Sequence, residues 1–158
     1  VNTAQAPIFY LALRGGQNFV GSFNQATSTG NQSITGVGFR PTGLFMQSYQ
    51  QTTQASVQTE SRLSIGAASG ATARGCATMH DTDNVATSDA NSAFETDEII
   101  KMMTSPSTID AEADLVSFDT DGFTINWDSA DATAREILYV AFGGLVGNPL
   151  MDGLVMLS

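Results

Sequence analysis

The sequence predicts an all-β protein, an antiparallel β-sandwich of jelly-roll-like form with extended arms at its two ends. Three observations lead there. Nine or ten short apolar runs are separated by turn residues, and no stretch keeps the 3.6-residue apolar period of a long amphipathic helix. Charged residues make up only 14% of the chain, so Thr, Ser, Gln, Asn and Gly fill the space between apolar positions, as strand and turn surfaces allow. The stretch from Ala113 to Trp127 reads as a β-hairpin around Asp119-Thr120-Asp121-Gly122. There Gly122 supplies a positive φ, and the side chains of Asp119 and Asp121 are expected to cap backbone N–H groups of the turn. Past the turn, Phe123, Ile125 and Trp127 alternate with Thr124 and Asn126, which puts three large groups on one side and two polar ones on the other.

The elements follow in order. Val1 to Pro7 is a small, polar arm, and Ile8 to Leu13 is a buried strand ended by Gly15-Gly16. Asn18 to Phe23 is a second strand, and Asn24 to Gln32 is an exposed loop without a core residue. Ile34 to Arg40 is a strand with a bulge at its glycines, stopped by Pro41; Gly43 to Tyr49 is a core strand. Gln50 to Ser61 is polar and fits either a long loop or an edge strand. Leu63 and Ile65 alternate within Arg62 to Ala67, Arg74 to Met79 is a further short strand, and Asp81 to Ala93 is an acidic loop. Glu98 to Met103 precedes the hairpin as a strand, and Ala134 to Phe142 closes the body after it.

That last strand repeats the first. Ile137-Leu138-Tyr139-Val140-Ala141-Phe142 followed by Gly143-Gly144 aligns with Ile8-Phe9-Tyr10-Leu11-Ala12-Leu13 followed, after Arg14, by Gly15-Gly16. Two apolar strands drawing on few residue types give such a match by chance, and a closing strand of one module standing before the body of the next gives it too. The chain thus divides into an arm and strand over 1–16, open to exchange with a neighbour, a sandwich body over 17–144 and an apolar arm over 145–158. Ile8, Tyr10 and Leu11 in the first arm, and Leu150, Met151, Leu154, Val155 and Met156 in the second, are the residues expected to bury themselves against another subunit.

Sixteen acids against six bases give a net charge of -10, which repels phosphate backbones and anionic lipid heads. Neither nucleic acid nor membrane is an expected partner, and no apolar run reaches the ~20 residues of a membrane-spanning helix. A single cysteine, Cys76, excludes an intrachain disulfide. No secretion signal opens the chain, and Val1 in first place fits either a processed start or a stretch of a longer product.

Candidate chemistry is thin. Cys76 and His80 are the only Cys and His, too few for a structural zinc site, and no Gly-x-Ser-x-Gly elbow accompanies them. His80 borders a loop that reads as solvated, so a hydrolase built on it ranks last. Asp119-x-Asp121-Gly122 and Asp81-x-Asp83-Asn84 each match half of a calcium loop but lack the remaining ligands, which leaves turn chemistry as the first reading and a weak shared calcium site as the second. The glycines between Gly66 and Gly75 lack a phosphate-loop ending. The sequence therefore predicts no enzyme, no catalytic or metal residue and no cofactor.

Together with the hairpin, the phrases Gly30-Asn31-Gln32-Ser33-Ile34-Thr35-Gly36-Val37-Gly38-Phe39-Arg40-Pro41 and Ala132-Thr133-Ala134-Arg135-Glu136-Ile137-Leu138-Tyr139 resemble a recurrent module of structural proteins of tailed bacteriophages, over about Ser28 to Gly144. The resemblance implies a capsid decoration (cement) protein or a tail or fibre component, located in the virion. Such proteins are β-sandwiches that assemble as trimers or higher rings and contact other virion proteins such as the major capsid protein. This chain departs from the pattern in carrying the closing-strand motif at both ends. A fibre module would instead bind a host-surface glycan through exposed Tyr49 and loop polar groups.

Overall fold

The hairpin is the centre of the smaller of two sheets. In the computed structural model, which describes residues 15–52, 57–87, 89–105 and 108–144, ten strands are formed: β1 (Asn18–Asn24), β2 (Gly30–Thr35), β3 (Pro41–Ser48), β4 (Ser61–Gly70), β5 (Ala73–Asp81), β6 (Ala90–Glu95), β7 (Ile100–Ser105), β8 (Thr108–Asp119), β9 (Gly122–Ser129) and β10 (Glu136–Gly143). The sheets run β1-β10-β3-β4-β5-β6 and β2-β9-β8-β7, with every pairing antiparallel. They pack face to face as a sandwich. The pairings of β1 with β10 and of β2 with β9 join strands far apart in sequence, whereas β3 to β6 and β7 to β9 are consecutive neighbours within one sheet each.

Between the sheets lie Phe123, Ile125 and Trp127 of β9, fully buried, against Leu115 of β8, Met46 of β3 and Ile137 and Tyr139 of β10. Burying each large side chain contributes roughly 1.5–3 kcal/mol. Phe123 meets Tyr139 edge-on at 5.1 Å between ring centroids, and the Trp127 indole N–H donates to Gln32 Oε1 at 2.7 Å, so the largest core residue leaves no polar atom unmatched. At the turn Asp119 pairs with Gly122, whose φ of 142° and close approach to the Ile34 carbonyl both exclude a side chain: a Cβ there would stand 1.9 Å from that oxygen.

Several boundaries differ from the sequence reading. Pro41 opens β3 instead of stopping the strand before it, because a residue without an N–H is tolerated at a strand's first position. The preceding strand begins earlier, at Gly30, and ends at Thr35, since Gly36 and Gly38 take left-handed φ of 85° and 83°. Gln25, expected in an exposed loop, is buried. Its N–H donates to the Arg135 carbonyl at 2.8 Å and its side-chain amide to Asp131 at 3.2 Å, so hydrogen bonds rather than apolarity hold it inside. His80, expected beside solvent, is 1% exposed within β5. Tyr10, Ile8 and Leu11, the repeated strand they belong to, and Leu150, Met151, Leu154, Val155 and Met156 lie outside the described residues. No helix among the described residues is long and apolar enough to cross a membrane.

Candidate interaction face

The half of the six-stranded sheet formed by β4, β5 and β6 is turned inside out. Along β4 the inward residues are Ser64, Gly66 and Ala68, and along β5 they are Cys76, Thr78 and His80, while Ile65 and Met79 point outward at 36% and 51% exposure. The cause is what fills the gap beneath them. The chain leading into β7 passes so close that a Cβ on Gly66 would stand 1.7 Å from the Ile99 carbonyl oxygen. Buried Gln50 then spans the interior: its amide donates to Thr78 at 3.4 Å and its carbonyl oxygen accepts from the Met103 N–H at 2.9 Å. Ser64 accepts from the Lys101 N–H at 3.3 Å and Thr78 donates to the Leu63 carbonyl at 3.2 Å. A small, polar, hydrogen-bonded interior leaves the large apolar side chains of these strands only the outer face.

Register carries that face across the sheet. One row of directly paired residues is Val20, Val140, Phe45, Ala67 and Gly75; the next is Ser22, Leu138, Gln47, Ile65, Ala77 and Phe94; a third holds Leu63, Met79 and Ser92. Val20, Phe94 and Leu138 are 71%, 73% and 48% exposed. Among the described residues, strand alternation puts two ionisable side chains on this face, Glu136 and Asp81, both at one end of it. From strand and residue spacing the face measures about 24 Å by 20 Å, on the order of 500 Å², with Ser22, Gln47 and Ser92 set among its apolar side chains. Leu63, Ile65, Ala77, Met79, Ser92 and Phe94 line a shallow groove in it of about 520 Å³.

No family model, curated protein or solved structure matches the chain.

The opposite outer face is polar. Asn126 donates to Asn31 at 2.7 Å across β9 and β2, Ser33 and Thr124 share a hydrogen bond of 2.8 Å, and Asp119 accepts from Thr124 and Ser117, each at 2.7 Å. Those two hydroxyls hold the Asp119 carboxyl below its usual range. Asp121 accepts from the N–H groups of Gly36 and Gly38 at 3.1 and 2.5 Å, so instead of capping N–H groups of their own turn, as expected, Asp119 bonds hydroxyls of the hairpin's strands and Asp121 fastens the β2–β3 loop.

Elsewhere several titratable groups are paired, but buried His80 has no hydrogen-bond partner at either ring nitrogen, its Nε2 standing 3.7 Å from a Glu60 oxygen. Cys76 and His80 share the inward face of β5 four residues apart, about 13 Å along a strand, beyond reach of each other. Burial pushes the Cys76 thiol up to about 12, which keeps it protonated. Lys101, buried, links the sheet edges by pairing with Glu95 at 2.6 Å and Glu112 at 3.1 Å. Glu98, Asp114 and Asp128 bring carboxylate oxygens within 4.8 Å of one another, the one trio of this kind among the described residues. Arg74 pairs with Asp114 at 2.6 Å, and burial, helped by the neighbouring carboxylates, pushes Glu98 up to about 8. A separate polar pocket of about 260 Å³ is lined by Tyr49, Gln51, Thr59, Glu60, Arg62 and Thr133 among others; Tyr49 is 56% exposed, and the guanidinium of Arg62 bonds to Glu60 and holds that carboxyl below its usual range.

Proposed function

We propose that the protein is a non-enzymatic structural subunit of a phage particle, a capsid decoration or cement protein that attaches through the outer face of its six-stranded sheet. The observation that carries this reading is the near charge-free apolar face on a protein with sixteen acids. A monomer has no use for Phe94, Val20, Met79 and Leu138 in water, whereas a subunit that lies on a protein surface needs a face free of desolvation cost. The phage assignment is supported by the resemblance of the Gly30 to Pro41 and Ala132 to Tyr139 phrases. Partners are further copies of the chain and the major shell protein, and the location is the virion.

Shells of the parent phage lacking this chain test the proposal. Wild-type protein is expected to bind them and raise the temperature at which they open. Phe94→Asp combined with Met79→Asp, two substitutions at exposed sites, should keep the melting temperature of the free protein and lose at least tenfold in shell affinity. Absence of wild-type binding, or binding by the charged variant equal to wild type, overturns it.

A second reading has one observation in its favour: exposed Tyr49 beside the amide, hydroxyl and guanidinium groups of the polar pocket has the aromatic-plus-polar composition of a saccharide site. On that reading the chain is a tail or fibre module that binds a host-surface glycan. Glycan-array binding abolished by Tyr49→Ala, with shell binding absent, would favour it over the first.

A further inference from the structure

Sulfur is divided unevenly between the interior and the surface of the sandwich. Met46, Met102 and Met103 are 0%, 0% and 5% exposed, and Cys76 is 4% exposed with its thiol pushed up to about 12 by burial. A thiol that stays protonated reacts slowly with peroxides, and thioethers packed in a core are screened from them. Met79 stands apart at 51% exposure. It lies on the outer side of β5 and lines the groove of the apolar face together with Leu63, Ile65 and Phe94.

We propose that Met79 is an oxidative modification site, and that conversion of its thioether to the sulfoxide by a peroxide switches off the apolar face of the six-stranded sheet. The proposal rests on the reading of that face as an attachment surface and names its regulation.

A peroxide is the one further reactant the step needs. A sulfur lone pair attacks a peroxide oxygen, the O–O bond breaks, and the departing hydroxide takes the proton of the transferred oxygen and leaves as water. Sulfur loses two electrons and the peroxide gains them. A methionine sulfoxide reductase supplied with a dithiol runs the change backwards, releasing the oxygen as water and leaving a disulfide on the reductant.

Position gives this oxygen its effect. Met79 pairs directly with Leu63 on one side and Ser92 on the other, and no ionisable group lines the groove. The Thr78 hydroxyl points inward and donates to the Leu63 carbonyl at 3.2 Å, so Ser92 is the donor of the groove lining left to meet a new oxygen. A surface that fits the groove by apolar contact offers that oxygen nothing, and docking would strip it of water without replacement. The same oxygen on Met46 or Met102 would break the core. On Met79 it leaves the packing between the sheets untouched, so the folded chain survives the change and can be restored.

The test treats the full chain with dilute hydrogen peroxide and maps its peptides. Met79 is expected to gain oxygen before Met46, Met102 and Met103, with the circular dichroism unchanged. Nile red, an uncharged apolar dye, then reports on the face of the free chain: Phe94→Asp should lower its fluorescence, peroxide treatment should lower it about threefold or more, and reductase with dithiol should restore it. Met79→Leu removes the thioether and keeps an apolar side chain of similar size. Whatever its starting level, dye binding by that variant should be insensitive to peroxide, which also separates Met79 from Met151 and Met156. Oxidation of the core methionines as fast as Met79, dye binding that is absent or indifferent to Phe94→Asp, an unchanged signal after oxidation, or an equal loss in Met79→Leu each overturns the inference. Shells lacking the chain separate it from the proposed function. Wild type that binds them equally before and after oxidation leaves the function standing and overturns the switch; a chain that never binds them, yet loses dye when Met79 is oxidised, does the reverse.

Discussion

Glu98 is a carboxylic acid kept neutral by its surroundings. Its Oε2 is buried without a hydrogen-bond partner, and Asp114, Glu112, Asp128 and Asp97 all disfavour its charge, while Arg74 is the base nearest the trio through its bond to Asp114. Burial comes first among the causes that raise it to about 8 from an ordinary value of 4.5. The folded state therefore holds a proton that the unfolded chain releases, and the contribution of this residue to stability is fully present below pH 4.5 and is lost as pH rises toward 8. Glu98→Gln mimics the neutral form. We expect the urea midpoint of wild type to fall between about pH 5 and pH 8 by more than that of Glu98→Gln, with the two proteins diverging most at the alkaline end. Parallel pH profiles would show that the trio is balanced some other way.

Among the elements, the β8–β9 hairpin was the most legible in sequence, because an acid-rich turn with glycine between two β-branched, aromatic runs has few alternative uses. Its turn also fastens the β2–β3 loop: Asp121 is the acceptor for two N–H groups, and Gly122 makes room for the Ile34 carbonyl. Asp121→Ala is expected to lower stability by about 1–3 kcal/mol, as loss of charge-assisted hydrogen bonds does, and Gly122→Val to prevent a cooperative thermal transition altogether. Denaturation of the two variants side by side checks the ranking. The β4–β5 pair was half legible. Alternation of Leu63 and Ile65 with Ser64 and Gly66 marks a strand but not which face is buried, and the usual assumption of apolar side in fails here. The available signal lay in β5, where Cys76, Thr78 and His80 share one side with only Ala77 and Met79 opposite, and in Gln50, whose burial depends on partners distant in sequence. Pairing of β4 with β3 and of β6 with β5, which joins the apolar residues into a face, is a tertiary fact that no local pattern states.

At the scale of the whole molecule, acids and apolar surface are segregated, and that segregation sets how the protein responds to salt. On the proposed assembly reading, copies would be held apart by charge over most of their surface and drawn together by one face. Raising sodium chloride from about 0.05 M to about 0.5 M shortens the screening length from above 10 Å toward 4 Å and should strengthen self-association, where a contact made of ion pairs would weaken. Sedimentation at the two salt concentrations distinguishes these. The other side of the sandwich gains a meaning from the same arrangement. Its Asn31–Asn126 rung, exposed, and its Ser33–Thr124 rung, partly buried, are already bonded within themselves, so this face presents a lattice of satisfied polar groups. A shell tiled by this subunit, sheet side down, would wear that lattice as its exterior, and the particle would meet its surroundings as a wet, anionic coat to which neither its own kind nor other proteins readily adhere.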